Sequence, residues 1–177
     1  LPSNVDSRQP SLFAAGWTLG SIKYLAESDV KGMTYFETVG WKGVMAPGTD
    51  FGLPPIFPAT PNAVFAMYHV LKNVGQFAGG QVREVHSTDT LSAVGMAITK
   101  NERNRLMLAN LANQPQQITI RGIASENAEL FLLDDTNSAS ANGDPERFAS
   151  RSGQPLTIDQ QTVTLRIAPY GIARIDY

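Results

Sequence analysis

The sequence predicts a mixed fold: an α/β segment of helix, strand and helix, followed by an antiparallel β-sandwich. Two observations predict it. Apolar residues recur at three- and four-residue spacing before about residue 77, and at spacing two after it. Turn-forming Gly, Pro and Asn clusters separate the later runs at the short intervals typical of sandwiches. The reading therefore divides the chain into residues 1–77 and 78–177.

In "SLFAAGWTLGSIKYLAESDV" the positions Leu12, Ala15, Leu19, Ile22 and Ala26 form one apolar stripe of an amphipathic helix, with start chemistry at Pro10 and Ser11 and a short exit over Asp29 to Gly32. "KGMTYFET" reads as a strand, with its alternation over 33–38. Its alternation sets Met33, Tyr35 and Glu37 on one face and Thr34, Phe36 and Thr38 on the other, with apolar bulk on both. A strand loaded on both faces, between two amphipathic helices, belongs in a parallel sheet covered on both sides. One strand cannot build that sheet, so this half reads as the end of something larger. "APGTDFGLPPIFPATP" is too rich in proline for a helix or a central strand. A second helix is expected over 62–75, stacking Val64, Tyr68, Leu71 and Gly75.

The second half gives seven runs: "QVREVHS", "LSAVGMAITK", "NRLMLANL", "QQITIRG", "AELFLLD", "QTVTLRIA" and "GIARIDY". No helical pattern is evident among them. In "QTVTLRIA" the alternation points Val163, Leu165 and Ile167 inward, and Thr162, Thr164 and Arg166 outward.

Composition narrows the function classes. The chain has 177 residues, 42% hydrophobic and 17% charged, with a net charge of −2. That balance gives no electrostatic reason to expect nucleic acid or an anionic membrane as partner. No apolar run approaches the roughly 20 residues of a membrane span. The chain holds no cysteine, so disulfides, thiolate catalysis and Cys-ligated zinc are excluded. No nucleophile elbow, phosphate loop or dinucleotide fingerprint occurs, and neither a metal nor a cofactor is expected. His69 and His86 lack metal-ligand spacing, and His69 reads as a satisfied, partly buried helix residue. "DDTNSASANGD" over 134–144 offers oxygen ligands without calcium-loop spacing, and reads as a solvated loop. The arginines of the second half read as dispersed. The chain starts at Leu1, which gives the expectation of a piece of a longer protein.

"VDSRQPSLFAAGWTLGSIKYLAE", "TYFETVGWKGVM" and "FPATPNAVFAMYHVL", in that order, resemble the carboxy-terminal part of D-apionate lactonase-like proteins. These are bacterial sugar-acid catabolism proteins built like glycoside hydrolases, with a (β/α)8 barrel ending in a small β-sandwich. The resemblance implies that residues 10–28, 32–38 and 62–75 are the seventh helix, eighth strand and eighth helix of such a barrel. Residues 1–9 would be the loop after the seventh strand, and further catalytic carboxylates would lie upstream of Leu1. A lactonase-like role would favour a cytoplasmic location.

On that implication Glu37 is the candidate catalytic residue, since barrel strand ends form the active-site face. A carboxylate there can activate water, protonate a leaving oxygen or hold a substrate hydroxyl. The competing reading is a surface Glu paired with Lys42 or Arg8. Trp41, Tyr35 and Thr38 are the candidate substrate-binding residues. Trp41 would stack on a sugar face or close the barrel rim; Tyr35 sits deeper, which favours packing. The substrate expected is a sugar-acid lactone or a glycoside, acted on by the parent protein and not by this chain alone. The alternative is a non-catalytic module binding carbohydrate or protein. Residues 78–177 contain no Trp and only Phe131, Phe148, Tyr170 and Tyr177 as aromatics, which speaks against an aromatic binding face. Self-association over the orphan strand is the remaining expectation.

Overall fold

A computed structural model of the chain describes residues 1–28, 30–48 and 56–177. Much of the proline-rich segment read from the sequence lies outside the described residues. Ten strands and four helices follow one another among those described. They form three layers, with helices on one side of a six-stranded sheet and a two-stranded sheet on the other.

Helix α1 spans Leu12–Ala26, and its first turn is capped by Ser11, whose hydroxyl accepts from the Ala14 N–H at 3.2 Å. Ala15, Leu19 and Ile22 of the expected stripe are buried. The stripe packs on strands β4 (Ala93–Lys100) and β5 (Arg103–Asn110). The opposite face leaves Trp17 and Tyr24 exposed, at 61% and 49%.

The strand expected over 32–38 is corrected. Only β1, Glu37–Val39, is a strand, because Phe36 takes a left-handed φ of 48° that breaks the extension. Strand β1 pairs in parallel with β2, Gly43–Met45, across a turn of three residues. Met33 and Val39 are exposed, and Tyr35 and Phe36 lean on the core beneath α1. The second helix is also corrected: α2 runs Ala66–Gly75, four residues later than expected. Val64 belongs to an antiparallel bridge with Met45, and Asn62 has a left-handed φ of 62°. The buried face is accordingly Ala66, Met67, His69 and Val70.

The six-stranded sheet has the order β3-β4-β5-β10-β7-β8, with β3 at Gln81–Arg83, β7 at Asn127–Leu133, β8 at Gln154–Thr157 and β10 at Ile172–Asp176. Every pairing in it is antiparallel. Strands β6 (Gln116–Arg121) and β9 (Thr162–Ile167) form the second sheet, also antiparallel. All seven expected runs contain a strand. Strand β8 and two short helices, α3 (Ser138–Gly143) and α4 (Pro145–Ser150), are additions. The segment 134–144 is thus largely helical rather than a hairpin loop.

Alternation along β4, β5 and β10 explains the layers. Val94, Met96, Ile98, Met107 and Ile172 face α1 and α2 in one core. Leu106, Leu108, Ala173 and Ile175 face the other way and meet Leu165 and Ile167 in a second core. Leu165 and Ile167 are buried while Thr164 and Arg166 are exposed, in the register expected for β9; Val163 is half-buried. Arg105 also lies on the helix-facing side and is 2% exposed. It forms a fork with Asp176 at 2.6 and 2.8 Å, and donates to the Asn73 carbonyl and Gln76 Oε1 at 2.9 and 2.6 Å. This pair fastens the end of α2 to the sheet.

Candidate functional site

The four residues singled out from the sequence surround β1. Glu37 opens the strand with an exposed side chain, and its backbone N–H donates to the Lys42 carbonyl at 3.0 Å. Its carboxylate makes no ion pair or hydrogen bond among the described residues. Neither Lys42 nor Arg8 takes it up. Arg8 instead grips Asp6 through Nε at 2.9 Å and a terminal nitrogen at 2.6 Å. Thr38 is exposed. Tyr35 is half-buried with its hydroxyl 2.6 Å from Ser21 Oγ on α1, a packing position and not a free site.

Trp41 is half-buried, with its indole stacked on Phe57 at 6.2 Å between ring centroids. Its Nε1–H is buried without a hydrogen-bond partner. A buried donor left unmade costs about 1–3 kcal/mol. The turn that carries it depends on two glycines. Gly40 has φ 109°, and a Cβ on Gly43 would come within 2.7 Å of the Val39 backbone.

The nearest cleft lies beside this strand, of ≈ 250 Å³, between the 1–9 loop, α1 and Phe36. Phe13, Trp17 and Phe36 give it aromatic walls, and Asp6, Arg8 and Gln9 a polar end. Gln9 fixes the loop by donating to the Gly43 carbonyl at 2.9 Å. The side-chain hydrogen bonds from Arg8, and its backbone N–H, lower the Asp6 pKa below the usual carboxylate value. The cleft therefore pairs an ionised carboxylate and a guanidinium with flat apolar surfaces, the chemistry that suits a small polyhydroxylated ligand. None of Glu37, Trp41, Tyr35 and Thr38 lines it; Phe36, between Tyr35 and Glu37, is the residue of that stretch that does. Asp6, Gln9 and Phe13 escaped the sequence reading, and Arg8 entered it only as a possible partner of Glu37. The available signal was Asp6 two residues before Arg8 in a loop ending on Pro10, a local ion pair that fixes its own turn.

Elsewhere, His69 is buried on α2; the Asn142 side chain and the Ala141 backbone interact with its ring, while its Nε2 has no aligned hydrogen-bond partner. The arginines of the second half are corrected, since Arg105, Arg151 and Arg174 lie near enough to one another to interact. Among the described residues no group of three His, Asp or Glu side chains could hold a metal ion.

Residues 1–79 match the family model described as the D-apionate lactonase TIM barrel domain, and residues 91–175 the model for the D-apionate lactonase C-terminal immunoglobulin-like domain. No curated protein matches the chain. Among solved structures it is similar to a conserved exported protein from Bacteroides fragilis, at 12% identity and TM-score 0.66, covering 100% of this chain and 36% of that one. It is also similar to a family 30 endoxylanase from Clostridium papyrosolvens C71, at 11% identity and TM-score 0.63, covering 97% and 39%. A family 30 subfamily 8 xylanase from Clostridium acetobutylicum gives 9% identity and TM-score 0.60, covering 94% and 39%. These likenesses show a shared fold, and the chain spans under two-fifths of the length of each.

Proposed function

We propose that this chain, which belongs to the D-apionate lactonase family along both matched segments, is the closing part of a carbohydrate hydrolase: the last helix–strand–helix of a (β/α)8 barrel and the sandwich packed on it. In this reading α1, β1 and α2 are the seventh helix, eighth strand and eighth helix. The substrate is a sugar-acid lactone or a glycoside. Glu37 is the residue of this chain that bears on it, and Trp41 and Thr38 border the same rim. The single observation that carries the assignment is an exposed, unpartnered carboxylate at a strand of the segment that matches a barrel domain.

The chemistry follows from the carboxylate. Opening a lactone requires water to attack the carbonyl carbon while its proton is taken up, and the ring oxygen to leave with a proton. An ionised Glu37 in reach of that water serves as general base; held at a hydroxyl, it orients the ring instead. Asp6 and Arg8 contribute fixed charge on the neighbouring loop. Tyr35, tied to Ser21, holds α1 against the strand and supports the rim from beneath. The remaining catalytic groups belong to the rest of the barrel, so the 177-residue chain by itself is inactive.

Steady-state kinetics of Glu37→Gln in the complete parent protein separate the roles. Acid–base work gives a loss of about 10²-fold or more in turnover with the fold intact. Substrate binding alone gives a raised KM equivalent to roughly 1.5–3 kcal/mol. Unchanged kinetics, or robust hydrolysis by the 177-residue chain alone, would overturn the assignment.

A further inference from the structure

A cavity of ≈ 40 Å³ lies in the seam between α2, the segment after α4 and the helix-facing side of β7 and β10. Lys72, Arg151 and Arg174 all line it, and no carboxylate does. The two guanidinium groups lie flat on aromatic rings, Arg151 over Phe148 at 3.7 Å and Arg174 over Phe131 at 3.6 Å. Arg174 donates to Asn73 Oδ1 at 2.7 Å. Its Nε sits 3.3 Å from Asp176 Oδ2 but out of hydrogen-bonding alignment, and is left buried without a partner. His69 lines the same cavity and is only 5% exposed; its ring interacts with Asn142 and the Ala141 backbone, and its Nε2 has no aligned hydrogen-bond partner.

The surrounding acids do not neutralise the cluster. Asp176 is already held in the fork of Arg105. Glu146 meets Lys72 at 2.8 Å from a side chain 78% exposed, where solvent screens it. Glu129 and Asp134 act on Arg174 and Arg151 through space only. Burial and the neighbouring Arg105 and Arg151 lower the Arg174 pKa to about 10, against the pull of Asp176. A fixed anion among these groups would supply the aligned partner that Arg174 Nε lacks.

We propose that this cavity is a binding site for a small carboxylate, held by Arg151, Arg174 and Lys72 with His69 Nε2 as a further polar contact. The volume admits about three water-sized groups, which suits a carboxylate head and is tight for a phosphate. A hydroxy acid would place its acid end inside and the rest of its body in the mouth of the cavity. The site shares no residue with the cleft beside α1 and does not rest on the role of Glu37.

The test is a titration of the 177-residue chain with acetate at constant ionic strength, against chloride and inorganic phosphate, read by the imidazole NMR signals and the melting midpoint. The chain has two histidines, so each signal is assignable by one substitution. The expected result is a saturable shift of His69 with His86 unmoved, a His69 pKa raised by about one unit, and a melting point that rises with ligand. Arg174→Met and Arg151→Gln should each weaken binding about tenfold. Arg151 is only half-buried, so its variant reports even where Arg174→Met fails to fold. A response that never saturates and is matched by chloride is screening, and overturns the site. Phosphate binding as well as acetate with the same His69 shift overturns the carboxylate assignment. A defect in Glu37 variants leaves this titration unchanged, so the two readings fail separately.

Discussion

His69 shows how one buried side chain sets a measurable property. Burial outweighs its neighbours and lowers its pKa from 6.5 to about 4, so it is neutral in the folded chain at pH 7. The unfolded chain then holds the extra proton between about pH 6.5 and 4. Stability from this group is fully present above 6.5, falls as pH drops towards 4 and is flat below. The span corresponds to about 3 kcal/mol at most. Urea denaturation across pH 4 to 7 should show that slope, and His69→Gln should flatten it. The sequence revealed a histidine on a helix, but not its depth of burial, which comes from packing against Phe148 and the Ala141–Asn142 segment distant in sequence. Glu37 was legible for the opposite reason, as a charge ending an apolar run is visible in the letters alone. The role of Arg8 was not, since its fork with Asp6 depends on the local turn.

At the scale of elements, short connections limit what can be substituted. Parallel strands joined by three residues are unusual, since parallel pairing ordinarily needs a long crossover. The contact exists because Gly43 has no Cβ to meet the Val39 backbone at 2.7 Å. Gly43→Ala should destabilise the chain by about 1–3 kcal/mol, read from the midpoint of chemical denaturation, with loss of protection at the Gly40 N–H that bonds to Met45. The Arg105–Asp176 fork is a second such tie. Asp176→Ala leaves a guanidinium that is 2% exposed without its carboxylate, and should cost about 3–5 kcal/mol. Legibility followed element chemistry. The seven strands with period-two apolar residues were readable, whereas β8 carries Pro155 and survives because it is the sheet edge. Helix α3 is built from Ser, Ala, Asn and Gly, which give no stripe, and only Ala141 is buried. Strand β1 was overestimated because nothing in "MTYFET" announces the left-handed Phe36.

At the scale of the whole molecule, the six-stranded sheet has two buried faces, and only one belongs to the sandwich. Val94, Met96, Ile98, Met107 and Ile172 are covered by α1 and α2. A piece comprising residues 78–177 should therefore expose them and aggregate. Solubility and near-ultraviolet circular dichroism of that piece check this. The opposite side of α1 poses the converse problem. Trp17 and Tyr24 stand 61% and 49% exposed, and Val39 at the short strand 45% exposed. Covering such side chains completely is worth roughly 1.5–3 kcal/mol each, a large fraction of a domain's net stability of about 5–15 kcal/mol. In the proposed parent the rest of the barrel lies over this face. In the 177-residue chain another copy is the available cover, so it should self-associate with concentration. Trp17→Lys should shift light scattering towards monomer without lowering the melting point, since that side chain touches solvent and not the core. The same substitution in the complete protein should lower its stability, because there the indole would be buried. A monomeric chain at all concentrations, with Trp17→Lys harmless in the parent, would show that α1 has no further partner.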